Sequence, residues 1–416
     1  MSKPKLLDLF CGGGGASMGF LRAGFDVVGA VDADKTAIDT YENNLCGEET
    51  VAGEFPGEIK FDEPLRADLS RGYKDEAIDE DLPKVTMEQI RDNFDLDPGD
   101  IDVICGCPPC QNFSSLRDTE QWPENKPKDS LLRAFVDFVE EEVPDIVFFE
   151  NVRNIMTAGE EVPSTYVDWL TRSMSKITRE RDSDCKSGYG HALSVVNSAD
   201  YGVPQSRERT IGLFVYGKDS SEISLPDPTH AENPDKEIGE REWVSVNEAF
   251  DQHDDLKQDI ESGERQIDID GYPDDAEHRA RRHRQQTIDR MRAIRQHGGS
   301  WRDLIGTNDE EYIVEAHTNV DSGAASAYGI MDGDSPAPTL TTRCTTPSSG
   351  RFTHPKMDRA ITFREAALLM TFPRWYKLPD KNNHAERIVG NAVPPKLVES
   401  VADVISAELA EPLTAN

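Results

Sequence analysis

The sequence predicts an α/β protein built on a doubly wound, mixed sheet. Its 416 residues are enough for one large and one smaller domain. Near the N-terminus an apolar stretch leads into the glycine-rich segment 8–15, which indicates a buried strand that ends in a tight turn before a helix. Farther along, apolar runs alternate with helical segments, and this alternation is typical of strands covered by helices.

The predicted elements suggest the domain organisation. Strands are expected near residues 5–10, 26–31, 101–105, 145–149, 192–196 and 210–216. After Gly217 the hydrophobic periodicity fades into a charged, variable region. We therefore predict a large domain over 1–217, a smaller domain over 218–355, a hinge over 356–385 and a C-terminal segment over 386–416 that returns to the large domain.

The glycine-rich segment predicts a site for a nucleotide-type cofactor. Glycines let backbone N–H groups approach a ligand, and the N-terminus of the following helix favours a negatively charged group. The dinucleotide fingerprint would have glycine at position 17, where this chain has Ser17. Asp32 ends the second strand, where an acid can bind ribose hydroxyl groups. A solvated turn aspartate is the alternative for Asp32.

Other predicted strands border chemically active side chains. A proline-rich loop after the third strand carries Cys110, the fourth strand runs into Glu150, and Arg207 and Arg209 precede the last strand. Ligands of an open α/β sheet bind beyond the carboxyl ends of its strands, so we expect these groups to converge with the glycine-rich turn. They would supply a nucleophile, a proton donor and a clamp for an anion or carbonyl.

Five motifs of the chain resemble those of the DNA cytosine-5 methyltransferases, and they occur in the family's order. They are the segment 8–15, Pro109-Cys110-Gln111, Glu150-Asn151-Val152, the Gln-x-Arg-x-Arg segment 205–209, and Gly390-Asn391-Ala392-Val393-Pro394. The resemblance implies a Rossmann-like S-adenosylmethionine-dependent methyltransferase fold with a smaller target-recognition domain. It also implies methyl transfer from S-adenosylmethionine to C5 of a cytosine in a specific duplex DNA sequence.

The resemblance further implies a role for each catalytic residue. The Cys110 thiolate adds to C6 of cytosine, Glu150 donates toward N3, and Arg209 holds O2 with support from Arg207. The addition makes C5 electron-rich enough to accept a methyl group. The target base is flipped out of the duplex, and a loop over residues 112–128 closes over the DNA. Glu150 would need a pKa raised by burial in order to donate a proton.

Binding residues follow from the same resemblance. Phe10 would stack on the adenine, Asp32 would bind the ribose and Asp68 would take the adenine amine, although an exposed loop aspartate is the alternative for Asp68. The implied cofactor residues are Phe10, Gly12, Gly14, Gly15, Asp32, Ala33, Asp68, Leu69, Asn391 and Val393. The implied DNA-binding residues are Gln111, Ser114 and Arg343, and no metal site is expected.

The clustered cysteines allow a rival interpretation. Cys107-Pro108-Pro109-Cys110 after a strand also fits a redox CxxC motif. A zinc site would need further ligands with a recognisable spacing, and the sequence has no second CxxC or histidine pair. We rank both alternatives below methyl transfer because neither needs the other four motifs. Cys107 stands where the family usually has glycine or phenylalanine, which places a second thiol beside the nucleophile.

Composition indicates the protein's setting. The net charge is −34, and an acidic chain with few lysines is typical of a salt-loaded cytoplasm, where the Debye length falls to roughly 3 Å. An ordinary acidic protein is the alternative. The sequence shows no membrane span or signal peptide, and seven cysteines fit a reducing cytoplasm. We expect a cytoplasmic monomer that acts on duplex DNA, with a cognate restriction endonuclease as a candidate partner.

One segment is locally basic. Arginines from Arg279 to Arg295 are predicted to lie on a helix that begins near Pro273 and stops at Gly298-Gly299. This helix would either neutralise the acidic body as a solvated face or contact DNA phosphates.

Two other function classes stay open. A tRNA cytosine-5 methyltransferase of the same fold would carry the same catalytic residues, although the long region between Arg209 and Gly390 favours DNA. A non-catalytic DNA-binding regulator would not need Cys110, Glu150 and both arginines.

Overall fold

The computed structural model describes residues 2–46, 55–69, 84–109, 130–157, 165–179, 188–268, 271–314 and 326–410. The chain divides into two compact units. The first unit comprises Met1–Asn197, Glu208–Asp227 and Pro395–Asn416, and the second comprises Ser198–Arg207 and Pro228–Pro394.

The strands and helices are numbered in chain order. The strands are β1 Lys5–Leu9, β2 Asp26–Asp32, β3 Leu65–Arg66, β4 Val103–Gly106, β5 Ile146–Val152, β6 Tyr189–Asn197, β7 Gln205–Ser206, β8 Glu208–Tyr216, β9 His230–Ala231, β10 Arg241–Glu242 and β11 Ala337–Pro338. The helices are α1 Gly15–Arg22, α2 Lys35–Leu45, α3 Met87–Phe94, α4 Ser130–Glu142, α5 Tyr166–Met174, α6 Val246–Asp251, α7 Gln285–His297, α8 Phe363–Leu369, α9 Asn382–Asn391 and α10 Pro395–Ala410. Among the described residues, no helix is both long and apolar enough to cross a membrane.

A seven-stranded sheet forms the first unit, in the order β3-β2-β1-β4-β5-β8-β6. β1 pairs in parallel with β2 and β4, and β4 pairs in parallel with β5. β8 is antiparallel to both of its neighbours, β5 and β6. Each of the six predicted strands is present, and the predicted fold class, a mixed α/β sheet, is confirmed.

Helices pack on both faces of this sheet because successive side chains of a strand point to opposite faces. On β5, Phe148 packs edge-on against Phe20 of α1, with ring centroids 5.7 Å apart. The next residue, Phe149, packs against Phe135 of α4, with centroids 6.0 Å apart. All four side chains are completely buried, and each contributes about 2–3 kcal/mol by leaving water. These two apolar layers fix the strand whose end carries Glu150.

The C-terminal helix α10 packs against α1 within the first unit. A Cβ atom on Gly19 would lie 2.5 Å from Val398 Cβ and 2.6 Å from the Pro395 carbonyl oxygen. Only glycine permits so close an approach of the two helices. The helix that follows the glycine-rich turn is therefore supported along its outer side.

The predicted starting point of the helix, near Pro273, was wrong. α7 begins at Gln285, and the segment before it is not helical. In that segment Arg279 donates a hydrogen bond to the Pro379 carbonyl oxygen at 2.8 Å, a partner 100 residues away. The predicted stop is present, because Gly298 ends α7 with φ at 128°.

Arginines of this basic segment bind acceptors inside the second unit. Arg281 lies 3.2 Å from the buried carboxylate of Glu386, and Arg290 Nε donates to the Tyr312 carbonyl oxygen at 2.7 Å. These two side chains therefore match neither of the two predicted alternatives, a solvated face or a face that contacts DNA phosphates. Their guanidiniums tie separate chain segments together.

A capping box at Thr362 begins α8 and extends into a buried ion pair. Thr362 Oγ1 accepts from the Glu365 N–H at 3.0 Å, and Glu365 accepts from the Thr362 N–H at 2.7 Å. Both oxygens of Glu365 also accept from the Arg359 guanidinium at 2.8 Å. Burial raises the pKa of Glu365, but the charges on Arg359 and His354 outweigh it and hold the pKa below its usual value.

Candidate active site

The glycine-rich turn leaves its backbone open to a ligand. Phe10, Gly12 and Gly14 all have positive φ, at 63°, 54° and 87°. A Cβ on Gly14 would lie 2.5 Å from a Leu45 methyl carbon, so this position requires glycine for both its conformation and its packing. At Gly12, by contrast, no heavy atom of the described residues lies within 4 Å of the Cβ position. The turn therefore offers a cradle at Gly12, just before α1 begins at Gly15.

Asp32 joins this turn to the end of β2. Asp32 Oδ2 accepts from the Gly12 N–H at 2.9 Å, and Oδ1 accepts from the Asp34 N–H at 2.8 Å. Burial raises the pKa of Asp32 against the opposing effect of these backbone hydrogen bonds. The structure thus brings together Gly12 and Asp32, which the sequence predicts to share one site. Because its two oxygens bind backbone N–H groups, Asp32 is not the solvated turn aspartate of the alternative interpretation.

The segment around Asp68 lies beside the same strand end. The Ala67 N–H donates to the Asp32 carbonyl oxygen at 3.1 Å, and Arg66 Nε donates to the Ala33 carbonyl oxygen at 3.2 Å. Asp68 is 3% exposed and Leu69 is 2% exposed. The alternative of an exposed loop aspartate at position 68 is therefore wrong.

A buried hydrogen-bond chain beneath the turn was missed by the sequence analysis. Tyr41 OH donates to Ser17 Oγ at 2.8 Å, and Ser17 Oγ donates to Asp8 Oδ2 at 2.5 Å. All three residues are completely buried. Burial raises the pKa of Asp8 to about 7 against the opposing effect of Ser17 and the nearby Cys105 thiol. The signal in the sequence was Ser17, a hydroxyl at a position where glycine was expected.

Glu150 and Arg209 meet across the antiparallel pair β5 and β8. Val152 is the register partner of Arg209, which places the guanidinium diagonally across from Glu150. Arg209 Nε lies 3.1 Å from Glu150 Oε1, and Arg209 Nη1 donates to the Glu208 carbonyl oxygen at 2.7 Å. The carboxylate and one of the two predicted guanidiniums are thus held together at the end of β5.

Asn151 links this strand end to the proline-rich loop. Its Nδ2 donates to the Pro108 carbonyl oxygen at 3.1 Å, and its Oδ1 accepts from the Val152 N–H at 2.9 Å. Pro108 precedes Cys110 by two residues. The sequence-predicted residues Cys110, Gln111 and Ser114, and the expected closing loop over 112–128, lie outside the described residues.

Cys107, on the near side of that loop, holds a neutral thiol. A hydrogen bond with Cys105 lowers the pKa of Cys107, but burial and the carboxylates of Glu150 and Asp8 raise it to about 11. A thiol in this state is a poor nucleophile at neutral pH. Among the residues that the structure describes, no group of three or more His, Cys, Asp or Glu side chains is arranged to hold a metal ion.

Arg207 belongs to the second unit and binds the backbone there. Its guanidinium donates to the carbonyl oxygens of Leu340 at 2.9 Å, Gly390 at 2.8 Å and Ala392 at 3.0 Å. The side chain is 1% exposed. Gly390 packs so closely that a Cβ would lie 2.4 Å from the peptide joining Thr341 and Thr342. Arg207 therefore holds the closing motif of the chain.

The other predicted residues of the second unit lie near these contacts. Asn391 is exposed at the end of α9, and Val393 beyond it is buried. Arg343 is exposed, and its N–H donates to Thr341 Oγ1 at 3.3 Å.

The fold and site first define a class. An open α/β sheet with a glycine-rich turn after its first strand, an acid at the end of its second and a carboxylate near the end of a central strand is typical of enzymes that bind a nucleotide-type cofactor.

Comparison with known proteins then identifies the family. The model of the C-5 cytosine-specific DNA methylase family matches residues 4–69 and 67–407. The chain therefore belongs to this family and is a DNA (cytosine-5)-methyltransferase. The resemblance found in the five motifs is confirmed.

Relatives match over nearly the whole chain. Type II methylase M.HgiDII of Herpetosiphon aurantiacus is 30% identical over 96% of this chain and 94% of its own length. Type II methyltransferase M1.HphI of Haemophilus parahaemolyticus is 26% identical over 96% of this chain and 86% of its own length.

Solved structures of low sequence identity support the fold alone. The S. pombe Dnmt2 methyltransferase has a TM-score of 0.54 at 16% identity and covers 98% of this chain and 100% of its own. The Entamoeba histolytica methyltransferase EhMeth has a TM-score of 0.55 at 14% identity and covers 99% of this chain and 100% of its own.

Proposed function

We propose that this methyltransferase methylates a flipped-out cytosine within a specific duplex DNA sequence, and that Cys110 forms a transient covalent bond to C6 of the base. The observation that carries this proposal is the Glu150 and Arg209 pair, together with the hydrogen bond from Asn151 to Pro108. This bond fixes the start of the loop that carries Cys110 against the strand end that carries Glu150.

The side chains divide the chemistry as follows. Arg209 is held by the Glu208 carbonyl oxygen, so its remaining N–H groups can donate to the cytosine O2. Glu150 binds the N3 edge and donates a proton there as Cys110 adds to C6, which makes C5 nucleophilic. The base reaches these groups only if it leaves the duplex stack. After C5 has accepted the methyl group, a base removes the C5 proton, elimination breaks the C6–S bond and releases Cys110 as the thiolate, and N3 returns its proton to Glu150.

S-adenosylmethionine fits the residues of the first unit. The open position at Gly12 accommodates a ligand close to the backbone, and Asp32 has acceptor capacity left for ribose hydroxyl groups. When bound, this cofactor supplies an electrophilic methyl group. The proposed contacts are Phe10, Gly12, Gly14, Gly15, Asp32, Ala33, Asp68 and Leu69, with Asn391 and Val393 retained from the family motif.

For Arg207 we infer a positioning role, because its guanidinium is occupied by three backbone carbonyl groups. Recognition of the target sequence is assigned to the smaller domain over 218–355, with a hinge over 356–385 and the terminal segment 386–416 returning to the domain over 1–217. Gln111, Ser114 and Arg343 are the proposed DNA contacts.

The proposal includes a setting. The enzyme acts as a cytoplasmic monomer on duplex DNA, and a cognate restriction endonuclease is its proposed partner. The net charge of −34 supports adaptation to a salt-rich cytoplasm.

Covalent trapping tests the mechanism. Duplex DNA with 5-fluorocytosine at the target site cannot release the enzyme after methyl transfer, so the wild type should form a stable adduct on a denaturing gel. Cys110→Ser should form none while it retains DNA binding, and Glu150→Gln should trap at least about 100-fold more slowly. Trapping by Cys110→Ser would refute the nucleophile. Adduct formation with tRNA instead of duplex DNA would favour the tRNA-modifying alternative.

A further inference from the structure

An exposed arginine lies just beyond the strand end that carries Glu150. Arg153 follows Glu150 by three residues and begins the short 3₁₀-helix Arg153–Met156, directly after β5. Its side chain is 62% exposed, and its Nη1 donates to Glu208 Oε2 at 2.6 Å. Glu208 immediately precedes Arg209, whose side chain is only 12% exposed. Of these two guanidiniums near Glu150, that of Arg153 is therefore the one open to a further partner.

The ion pair between Arg153 and Glu208 is not needed to hold this strand end together. The backbone hydrogen bonds between β5 and β8 already do so, and Thr210 Oγ1 donates to the Val152 carbonyl oxygen at 3.3 Å. Ile155 is completely buried and anchors the short helix. An ion pair between two exposed side chains adds little stability, because water and salt screen it. Arg153 and Glu208 can therefore separate at little cost.

A DNA phosphate is the partner that suits this guanidinium. Arginine can donate two parallel hydrogen bonds to a phosphate, as it can to a carboxylate. In the proposed reaction the cytosine leaves the stack and lies against Glu150 and Arg209, and its two flanking phosphates come with it to the protein surface. Arg153 lies close to both of these residues along the chain and across the strand pair, so we expect its long side chain to meet one of the phosphates.

We propose that Arg153 binds a DNA phosphate that flanks the flipped-out cytosine, and that Glu208 occupies this guanidinium until the DNA displaces it. The inference rests on the proposed function. It also gives Glu208 a role, because a carboxylate that competes with phosphate weakens the binding of DNA that does not present a phosphate at this position.

The two side chains should affect DNA binding in opposite directions. One phosphate contact changes the logarithm of the association constant by about 0.9 for each tenfold change in salt concentration. Arg153→Gln should therefore weaken binding about tenfold at about 0.1 M KCl, and the difference from the wild type should disappear toward about 1 M. Glu208→Gln removes the competitor and should strengthen binding about threefold, as expected for unit charges about 6 Å apart in water. A pair that only supported the structure would make both substitutions weaken binding.

Fluorescence anisotropy measures these affinities with a short labelled duplex that carries the methylated sequence context found by bisulfite sequencing. S-adenosylhomocysteine, which the cofactor becomes after methyl transfer, is present so that no methyl group is transferred. Lys3→Gln is the control, because it removes the same charge from a partly exposed side chain that pairs with Glu58 at 3.2 Å. Lys3 precedes β1 and so lies at the opposite end of the parallel strands from the site. Its affinity and salt dependence should match those of the wild type.

A change in the DNA tests the phosphate contact itself. Methylphosphonate linkages on both sides of the target cytosine carry no charge, so the wild type should bind the modified duplex at least about tenfold more weakly. Arg153→Gln has already lost this contact. The loss of affinity caused by the methylphosphonates should therefore be about tenfold smaller in Arg153→Gln than in the wild type.

Several results would overturn the inference. They are a salt dependence in Arg153→Gln equal to that of the wild type, weaker DNA binding by Glu208→Gln, and the same loss from methylphosphonates in Arg153→Gln as in the wild type. Each of these results would leave the proposed function standing. A wild type that does not bind the duplex would instead refute the proposed function, and this inference with it.

Discussion

Replacing Arg207 by lysine should destabilise the second unit. The buried guanidinium donates to three carbonyl oxygens, those of Leu340, Gly390 and Ala392, at 2.8 to 3.0 Å. A hydrogen bond from a charged donor contributes about 1.5–3 kcal/mol to stability. Lysine keeps the charge, but its single nitrogen cannot reproduce the guanidinium's separated donors, so at least one of these bonds is lost. We expect Arg207→Lys to lower the free energy of unfolding by about 3 kcal/mol.

Urea unfolding followed by tryptophan fluorescence measures this loss, because Trp243, Trp301 and Trp375 all lie in the second unit. Arg343→Lys changes an exposed arginine in the same unit and serves as the control. A loss below about 0.5 kcal/mol in Arg207→Lys, the range of ordinary surface substitutions, would refute the positioning role. If that variant also lost methyl transfer, the catalytic role implied by the resemblance would be favoured.

Three further predictions concern the first unit and the charge of the chain. Asn151→Ala should lower kcat at least about tenfold with little change in affinity for S-adenosylhomocysteine, because the loop at Pro108 loses a hydrogen bond that anchors it. An unchanged kcat would argue against this anchor. Because the pKa of Asp8 rises from 3.8 to about 7 on folding, stability is lost as the pH rises through that window. Between about pH 5 and pH 8 the free energy of unfolding should fall by about 3 kcal/mol more in the wild type than in Asp8→Asn. Urea unfolding at several pH values measures this difference, and the same dependence of the free energy on pH in both proteins would contradict it. The rate of methyl transfer should increase from about 0.1 M KCl toward molar KCl, as the Debye length shrinks from roughly 10 Å to 3 Å. A steady fall in that rate, with the midpoint of thermal unfolding unchanged, would contradict salt adaptation.

The sheet could be predicted because its strands are apolar runs bounded by glycine, proline and charged residues. Local chemistry also sufficed for the end of α7 at Gly298. The start of α7 could not be predicted in this way. Arginines suit a helix, but the backbone around Arg279 pairs with the segment at Arg265, and the Arg279 side chain also donates to the distant Pro379 carbonyl oxygen.

The site was predictable in its residue types but only partly in its contacts. Glu150 and Arg209 meet because β8 is antiparallel to β5, and the pairing of Asn151 with Pro108 joins residues 43 positions apart. Arg207 and Arg209 occupy equivalent places in one motif, yet they belong to different units and have different partners. These distinctions depend on strand order and on packing, which a sequence motif does not specify.

The proposed mechanism requires Cys110 for methylation of cytosine C5 in duplex DNA. Bisulfite sequencing of DNA from cells that express the chain, in a host without cytosine methylation of its own, tests it most directly. We expect 5-methylcytosine at one fixed sequence context in cells with the wild type and none in cells with Cys110→Ser produced at the same level. Unmethylated DNA in cells with folded wild-type protein, or equal methylation by Cys110→Ser, would contradict this mechanism.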